Sequence, residues 1–347
     1  MPQTYDYAVV IGRFAPCDNG HVERLSLIGG LARQVLILVS SADKARESRL
    51  PWTVDEREGM LRAGLGERAS GFVFGRVGDH PYDPAAFAEE VRGQLHALSG
   101  DDQGGKVCVV SRAVDVRPAA RDALPAEWAR LTPPPGPDRA FVLDALYGDT
   151  ATFAGLGAQV PAAVFERLQA FRGTDVFAAM ADEHRYVEAY KKSWEVAPYP
   201  VVFVATDVLA VQADAAGVPH ILLVRRGGIP GKGQWAMPGG YLDPHEELVT
   251  GALRELREET GLTLSDGEIK ACLRRVEVFA DPDRASRGRV ITHNHHFVLP
   301  AGPLPVVEGA DAAEHAVWLP LGDLASLRDR FFEDHYAMID HMLAREA

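Results

Sequence analysis

Cysteine is scarce in this chain of 347 residues, and basic residues are fewer than acidic ones. Three cysteines, Cys17, Cys108 and Cys272, stand far apart and in no Cys-x-x-Cys spacing, so we expect neither a disulfide framework nor a zinc site, and a reducing cytoplasm fits. Lys and Arg number 36 against 49 Asp and Glu, and the formal net charge of −13 disfavours nucleic acid as a partner. No apolar run reaches about 18 residues, and no basic segment with an apolar stretch opens the chain, so we expect no membrane span or signal peptide.

The first half of the chain alternates short apolar runs with helical patterns. Apolar, β-branched runs near residues 8–11, 35–39, 72–77 and 106–110 are separated by helical segments. This alternation is typical of a parallel sheet covered by helices on both faces. We therefore predict an α/β Rossmann-like domain over residues 1–182.

The second half of the chain has a different order of predicted helices and strands. Residues 183–200 form a polar helical segment that stops at Ala197-Pro198-Tyr199-Pro200, and we predict a helical linker there. Beyond it we predict an antiparallel strand pair, one long helix, three more strands and a closing helix, at residues 201–211, 220–226, 244–260, 269–279, 290–299, 316–319 and 331–343. Residues 201–347 should thus form an α+β domain with a mixed sheet between helices.

One spaced motif within the long helix points to chemistry. The chain reads Gly240, then Glu246, Arg254-Glu255-Leu256, Glu258-Glu259 and Gly261-Leu262. At 100° per residue the three glutamates of the helix gather within an arc of about 100° beside an apolar stripe. Like charges at this density are tolerated mainly around a divalent cation, and oxygen ligands select Mg²⁺ or Mn²⁺.

Such a metal site can bridge a diphosphate and lower the pKa of a bound water, so the motif predicts hydrolysis of a phosphoanhydride. The preceding Gly239-Gly240 pair allows the backbone to approach the same site. The alternative is a solvated helix face on which the glutamates only pair with Arg254 and Arg257.

The motif resembles the Nudix box, and residues 201–347 resemble a Nudix hydrolase domain. Arg225-Arg226, Pro230-Gly231-Lys232-Gly233 and residues 287–293 extend the likeness to the Nudix half of two-domain nicotinamide mononucleotide (NMN) adenylyltransferase/Nudix proteins. The resemblance implies a Mg²⁺-dependent enzyme of NAD metabolism, with Mn²⁺ as an alternative ion. Its substrate would be ADP-ribose or a related nucleoside diphosphate derivative, with AMP and ribose 5-phosphate as the products from ADP-ribose.

The same resemblance assigns site residues. Glu255 and Glu259 would be metal ligands together with Gly240, Glu258 would be a further ligand or the base, and Arg254 would orient the cluster. Such sites often contain a second acid from outside the box, and Glu314 is the candidate. An ordinary exposed glutamate is the alternative at that position.

The first domain resembles a nucleotidyltransferase domain of the NMN adenylyltransferases but departs from their motifs. The run from Ile11 to His21 follows a strand and opens a helix, where phosphates bind. By the resemblance, Arg13, His21, Ser41 and Arg46 match nucleotide-binding positions. The departures are Asp18 in place of a histidine, Val114 in place of a lysine, Gly148 in place of a serine and Phe153 in place of an arginine.

These departures remove cationic contacts, and a carboxylate at position 18 repels phosphate. We therefore expect a first domain that is weak or silent in adenylyl transfer. The first alternative is a bifunctional enzyme that also makes NAD from ATP and NMN. A nucleotide-sensing regulator is the second, although no basic helix-turn-helix segment follows the box. The related proteins suggest a homodimer.

Overall fold

The computed structural model describes residues 4–99, 105–112, 115–133 and 139–344. Val114 and most of the proline-rich loop expected near residues 131–138 lie outside this part. The chain divides into two compact units, Met1–Asp182 and Glu183–Ala347. No helix among the described residues is both long enough and apolar enough to cross a membrane.

The first unit is built on a parallel sheet. Its strands, in the order β3-β2-β1-β4-β5, are β1 (Tyr5–Gly12), β2 (Ala32–Val39), β3 (Val73–Arg76), β4 (Val107–Ser111) and β5 (Ala129–Leu131). Alternate residues of β1 point to opposite faces, so Ala8 and Val10 enter one apolar core while Val9 and Ile11 enter another. A central strand buried on both faces requires helices on both sides, and the predicted α/β Rossmann-like fold is confirmed.

Helices cover this sheet. They are α1 (Asn19–Leu31), α2 (Val54–Leu65), α3 (Pro84–Ser99), α4 (Pro118–Ala123), α5 (Arg139–Tyr147), α6 (Thr150–Gly155), α7 (Ala162–Arg172) and α8 (Asp175–Ser193), with 3-10 turns at Gly66–Gly71 and Leu156–Ala158. The division between the units falls within α8.

The second unit contains a mixed sheet. Its strands are β6 (Val202–Ala213), β7 (Pro219–Arg226), β8 (Trp235–Ala236), β9 (Gly239–Tyr241), β10 (Leu273–Phe279), β11 (Arg289–Leu299) and β12 (Ala313–Pro320). The main order is β10-β11-β6-β7-β12, with β8 on β7 and β9 on β6. Among the described strands of this unit only β6 and β11 pair in parallel, and the predicted α+β fold is confirmed.

The helices of this unit differ from the sequence prediction at their starts. They are α9 (Leu248–Thr260), α10 (Asp266–Ala271) and α11 (His335–Ala344), and a 3-10 stretch spans Leu321–Arg330. The expected strand at 269–279 begins as α10 because Ser265 caps a helix there, its side chain accepting from the Glu268 N–H. The long helix begins four residues later than expected, after a turn in which Glu246 accepts from the Asp243 N–H.

Candidate active site

Helix α9 carries the motif glutamates on the edge of its buried face. Ala252, Leu253 and Leu256 are at most 1% exposed and pack into the core, and Gly261 ends the helix with φ of +63°. Glu255 and Glu259 lie beside this stripe and are buried, whereas the side chain of Glu258 is 47% exposed. The motif therefore presents two buried carboxylates and one at the surface.

Two glycines of β9 allow the backbone to meet these carboxylates. The Gly239 N–H donates to Glu259 Oε2 at 3.0 Å. A Cβ at Gly240 would clash with Glu255 Oε1, and one at Gly239 would clash with Asp207 Oδ1. The structure thus places Gly240 directly against Glu255, and any side chain at either position would displace an acid.

Arg254 links the acids of the motif. Its Nη1 donates to Glu255 Oε1 and to Glu258 Oε2, both at 2.9 Å, and its Nη2 donates to Glu246 Oε1 at 2.7 Å. These charge-assisted bonds raise the pKa of the guanidinium, chiefly through Glu246, and keep it ionised. The arrangement suits the orienting role expected of Arg254.

Burial makes the negative charge of this site costly. Desolvation raises the pKa of Glu259 to about 8 against its bond from Gly239, and the charges of Glu255 and Asp207 add to the rise. Desolvation also raises the pKa of Glu255, and it raises that of Asp207 to about 7. Sequence reasoning missed Asp207, whose one signal is that it is the single charged residue of the largely apolar strand β6.

The described residues contain no group of three His, Cys, Asp or Glu side chains arranged to hold a metal as they stand, and Glu258 pairs with Arg254. The donor set nevertheless fits a divalent ion. Glu255 and Glu259 offer hard oxygen ligands, and because burial raises the pKa of both carboxyl groups, a positive charge beside them would stabilise their ionised forms. A bound cation would supply that charge.

Two acids outside the box, Glu314 and Glu333, differ in their surroundings. Glu314 is exposed on β12, and its side chain makes no hydrogen bond or ion pair within the described chain. Glu333 instead lies near the site: it is half-buried, its Oε1 accepts from the Ser286 N–H at 2.7 Å, and its charge adds to the rise in the pKa of Asp207. Glu333 stands in a turn, with φ of +47°, outside the helices and strands. No hydrophobic periodicity of the sequence therefore marks it.

A buried ion pair fixes the turn that contains Glu333. Asp334 accepts from Nε and Nη2 of Arg284, both at 3.0 Å, and both side chains are 4% exposed. The next residue, His335, accepts from the Met237 N–H at 3.1 Å, and burial lowers its pKa to about 3, so the ring is neutral. The turn is thereby tied to the segment that enters β9.

In the first unit, Asp18 occupies the start of α1. Its Oδ1 accepts from the His21 N–H at 2.6 Å, its Oδ2 lies 2.8 Å from His21 Nδ1, and Arg24 is 3.6 Å away. Although burial opposes the ionised form, the bonds to His21 hold the pKa of Asp18 below its usual value. The carboxylate therefore uses the positive groups that a phosphate would need.

Of the other residues expected to bind a nucleotide, Arg13 and Ser41 lie close together, whereas Arg46 pairs with an acid. Arg57, 1% exposed, donates to the carbonyls of Arg13 and Ser41 at 2.8 and 2.9 Å and so brings these two residues together. Arg46 instead makes a bidentate pair with Glu56 at 2.6 and 2.8 Å. In this structure the charge of Arg46 is therefore paired with Glu56, a carboxylate of the same unit.

The motif at residues 148–153 is contacted by an arginine from another helix. Arg172 of α7 donates to the Gly148 carbonyl at 2.9 Å, and its guanidinium lies 4.4 Å from the centre of the Phe153 ring. The motif itself gave no sign of this residue, because it lies 19 positions beyond Phe153.

Residues 203–342 match the family model of the NUDIX domain. The crystal structure of a bifunctional NMN adenylyltransferase/ADP ribose pyrophosphatase from Francisella tularensis, complexed with AMP and Mn ion, is 27% identical. The alignment has a TM-score of 0.86 and covers 99% of this chain and 100% of that one. A second crystal structure of a bifunctional NMN adenylyltransferase/ADP ribose pyrophosphatase from Francisella tularensis is 28% identical, with a TM-score of 0.87 and coverage of 99% of this chain and 100% of that one.

Two curated relatives each match part of the chain. An ADP-ribose pyrophosphatase of Methanocaldococcus jannaschii is 33% identical over 115 residues, which are 33% of this chain and 64% of the relative. The ADPR responsive transcriptional repressor NtrR of Acinetobacter baylyi is 26% identical over 167 residues, 48% of this chain and 61% of the relative. The chain spans less than two thirds of the length of either relative. Residues 203–342 therefore form a NUDIX domain, and the chain as a whole is similar in fold to a bifunctional NMN adenylyltransferase/ADP ribose pyrophosphatase.

Proposed function

We propose that the unit Glu183–Ala347 hydrolyses ADP-ribose, or a closely related nucleoside diphosphate derivative, to AMP and ribose 5-phosphate. One observation carries the proposal: the box spacing places two buried carboxylates, Glu255 and Glu259, side by side against the glycines of β9. Buried acids with raised pKa values, grouped with other charged side chains, are typical of catalytic sites. The names of the F. tularensis and M. jannaschii proteins support ADP-ribose as the substrate.

We infer Mg²⁺ as the cofactor, with Mn²⁺ as a substitute, held by Glu255 and Glu259 beside the Gly240 backbone. When bound, the ion neutralises the diphosphate and acidifies a water. Glu258, exposed and held by Arg254, serves as a third ligand or takes the proton of the attacking water. The water oxygen bonds to one phosphorus, the P–O–P anhydride bond breaks, and the two monophosphates leave.

The test is purified protein with Mg²⁺ offered ADP-ribose, NADH and, separately, ATP with NMN, with products separated by chromatography. We expect AMP and ribose 5-phosphate from ADP-ribose and none without the metal. Intact ADP-ribose after prolonged incubation with either Mg²⁺ or Mn²⁺ would refute the proposal. Sedimentation of the same preparation tests the homodimer.

NAD synthesis is the second candidate, and the full-length similarity to a bifunctional enzyme favours it. The pairing of Asp18 with His21 and Arg24 opposes it. The ATP and NMN arm of the assay decides: NAD at a rate comparable to AMP release would show that the first unit works.

A receptor function is the candidate of another class, and the similarity to the NtrR repressor favours it. Retention of every box acid supports hydrolysis instead. Binding of ADP-ribose without release of AMP, combined with ADP-ribose-sensitive binding of DNA, would establish the receptor.

A further inference from the structure

Strand β10 lies at one end of the sheet of the second unit. It pairs with β11 on one side, and in the described part of the chain no strand pairs with its other side. The backbone N–H and C=O groups that point to that side therefore have no sheet partner. Such an edge is a template on which another strand can add.

The sequence of β10 does not block this edge. The strand has seven residues and contains neither proline nor lysine, which natural sheets often place on exposed edges. Its register with β11 shifts only between Leu273 and Arg275, so the rest of the strand is regular. Val276 and Val278, on one face, are 43% and 51% exposed. The edge is thus both open and apolar on one face.

The other face of β10 carries two opposite charges, one on each side of Val276. The side chains of Arg275 and Glu277 are 25% and 21% exposed, and Arg275 Nη1 lies 3.8 Å from Glu277 Oε2. Helix α11 contacts both, because His341 Nε2 lies 2.8 Å from Glu277 Oε1 and Arg275 donates to the Met342 carbonyl. The strand therefore has a basic and an acidic residue at equal distances from its middle.

This arrangement is complementary to itself when a second copy of the strand runs antiparallel to the first. Opposed residues of an antiparallel pair point to the same face, so the two-fold axis between two copies must pass through a residue. With the axis at Val276, each Arg275 stands opposite Glu277 of the second copy. The pairing thus forms two cross-strand pairs of opposite charge.

The neighbouring registers are disfavoured by the same charges. An axis at Arg275 would place that arginine opposite its own copy, and an axis at Glu277 would do the same with the glutamate. Like charges directly opposite each other destabilise a pair of strands. The charges of β10 therefore favour one register of self-pairing over its two neighbours.

We propose that β10 is the surface through which two copies of this chain associate, edge to edge about a two-fold axis at Val276, so that the sheets of the two second units become continuous. In this register Val276 meets its own copy, and Val278 stands opposite Arg274 of the second copy, whose methylene stem covers it. The inference goes beyond the proposed function and does not depend on which reaction the unit catalyses.

The experiment is sedimentation equilibrium of the full chain over a range of concentrations, which gives the Kd of the dimer. The variants are Val276→Lys, Arg275→Glu, Glu277→Arg and the double reversal of both charges. The matched control is Val218→Lys, because Val218 is 44% exposed and lies in the turn between β6 and β7.

We expect the unaltered chain to form dimers and Val276→Lys to raise the Kd at least ~10-fold, because it places two ammonium groups at the axis. Each single charge reversal creates two like-charge pairs and should raise the Kd by a similar factor. The double reversal restores opposite charges in both pairs and should return the Kd to within about three-fold of the unaltered value. Val218→Lys should stay within about two-fold.

A chain that is monomeric at every concentration would overturn the inference. Dimers that Val276→Lys and Val218→Lys leave equally strong would assign the association to another surface and would also overturn it. A double reversal as weak as the single reversals would refute the register. Thermal melts check folding, and the exposed Val276→Lys decides if the charge variants do not fold.

Discussion

At the scale of single residues, the acids of α9 fall into two environments that predict different behaviour on mutation. Glu259 is buried against Gly239, and Glu258 is exposed and held by Arg254. We expect Glu258→Gln and Glu259→Gln each to lower turnover of ADP-ribose at least ~100-fold, because each removes charge from the metal site without opening a cavity in the core. Steady-state assays with Mg²⁺ measure this.

Glu247→Gln is the control for these two changes, because Glu247 is exposed at the start of the same helix. Thermal melts of all three variants should stay close to that of the unaltered chain. Full turnover in both Glu258→Gln and Glu259→Gln would exclude the proposed metal site.

Glu259 also predicts a pH dependence of stability. Its pKa is raised to about 8 in the folded chain, from 4.5 in the unfolded chain, so the folded state binds the extra proton between these values. The free energy of unfolding of metal-free protein should therefore fall as pH rises from about 4.5 to 8, by the contribution of this group. Urea titrations in EDTA at pH 5.5 and 8.5 measure the fall.

Glu259→Gln isolates that contribution, because it should reduce the difference between the two pH values. Mg²⁺ should stabilise the unaltered chain more at pH 8.5 than at pH 5.5, since a protonated ligand must first lose its proton. An identical pH slope in Glu259→Gln would contradict the assigned environment.

At the scale of elements, the close contact of β9 with α9 depends on an absent side chain. A Cβ at Gly240 would meet the carboxylate of Glu255, which has little room to move because Arg254 holds it. We expect Gly240→Ala to lower turnover at least ~10-fold through displacement of Glu255, since small misplacements of catalytic groups are costly.

Gly228→Ala is the matched control, because a Cβ there meets no atom within 4 Å and the backbone angle is ordinary. Its kinetics should be those of the unaltered chain. Normal turnover in Gly240→Ala would mean that this contact does not set the position of Glu255.

At the scale of the whole molecule, the two units differ in how their charges are used. The first unit pairs Asp18 with His21 and Arg46 with Glu56, whereas the second places the like charges of Glu255 and Glu259 close together. The chain carries a net charge of −13, so binding of an anion depends on local cations or a metal ion.

We therefore expect no NAD from ATP and NMN with the unaltered chain, and a measurable rate with Asp18→His, because the change replaces a repelling carboxylate. Hydrolysis of ADP-ribose by the same variant is the control and should be unchanged. NAD synthesis by the unaltered chain at a rate that Asp18→His does not raise would contradict an inhibitory Asp18.

The sequence by itself determined both folds and the location of the box, because strand alternation and the 3.6-residue period are local properties. It also marked Arg254 and the three glutamates. Only the tertiary structure decided which acids are buried, since burial depends on β9 and β6 folding against α9. Asp207 and Glu333 come from separate segments, and no local pattern predicts that long-range contacts bring their charges together.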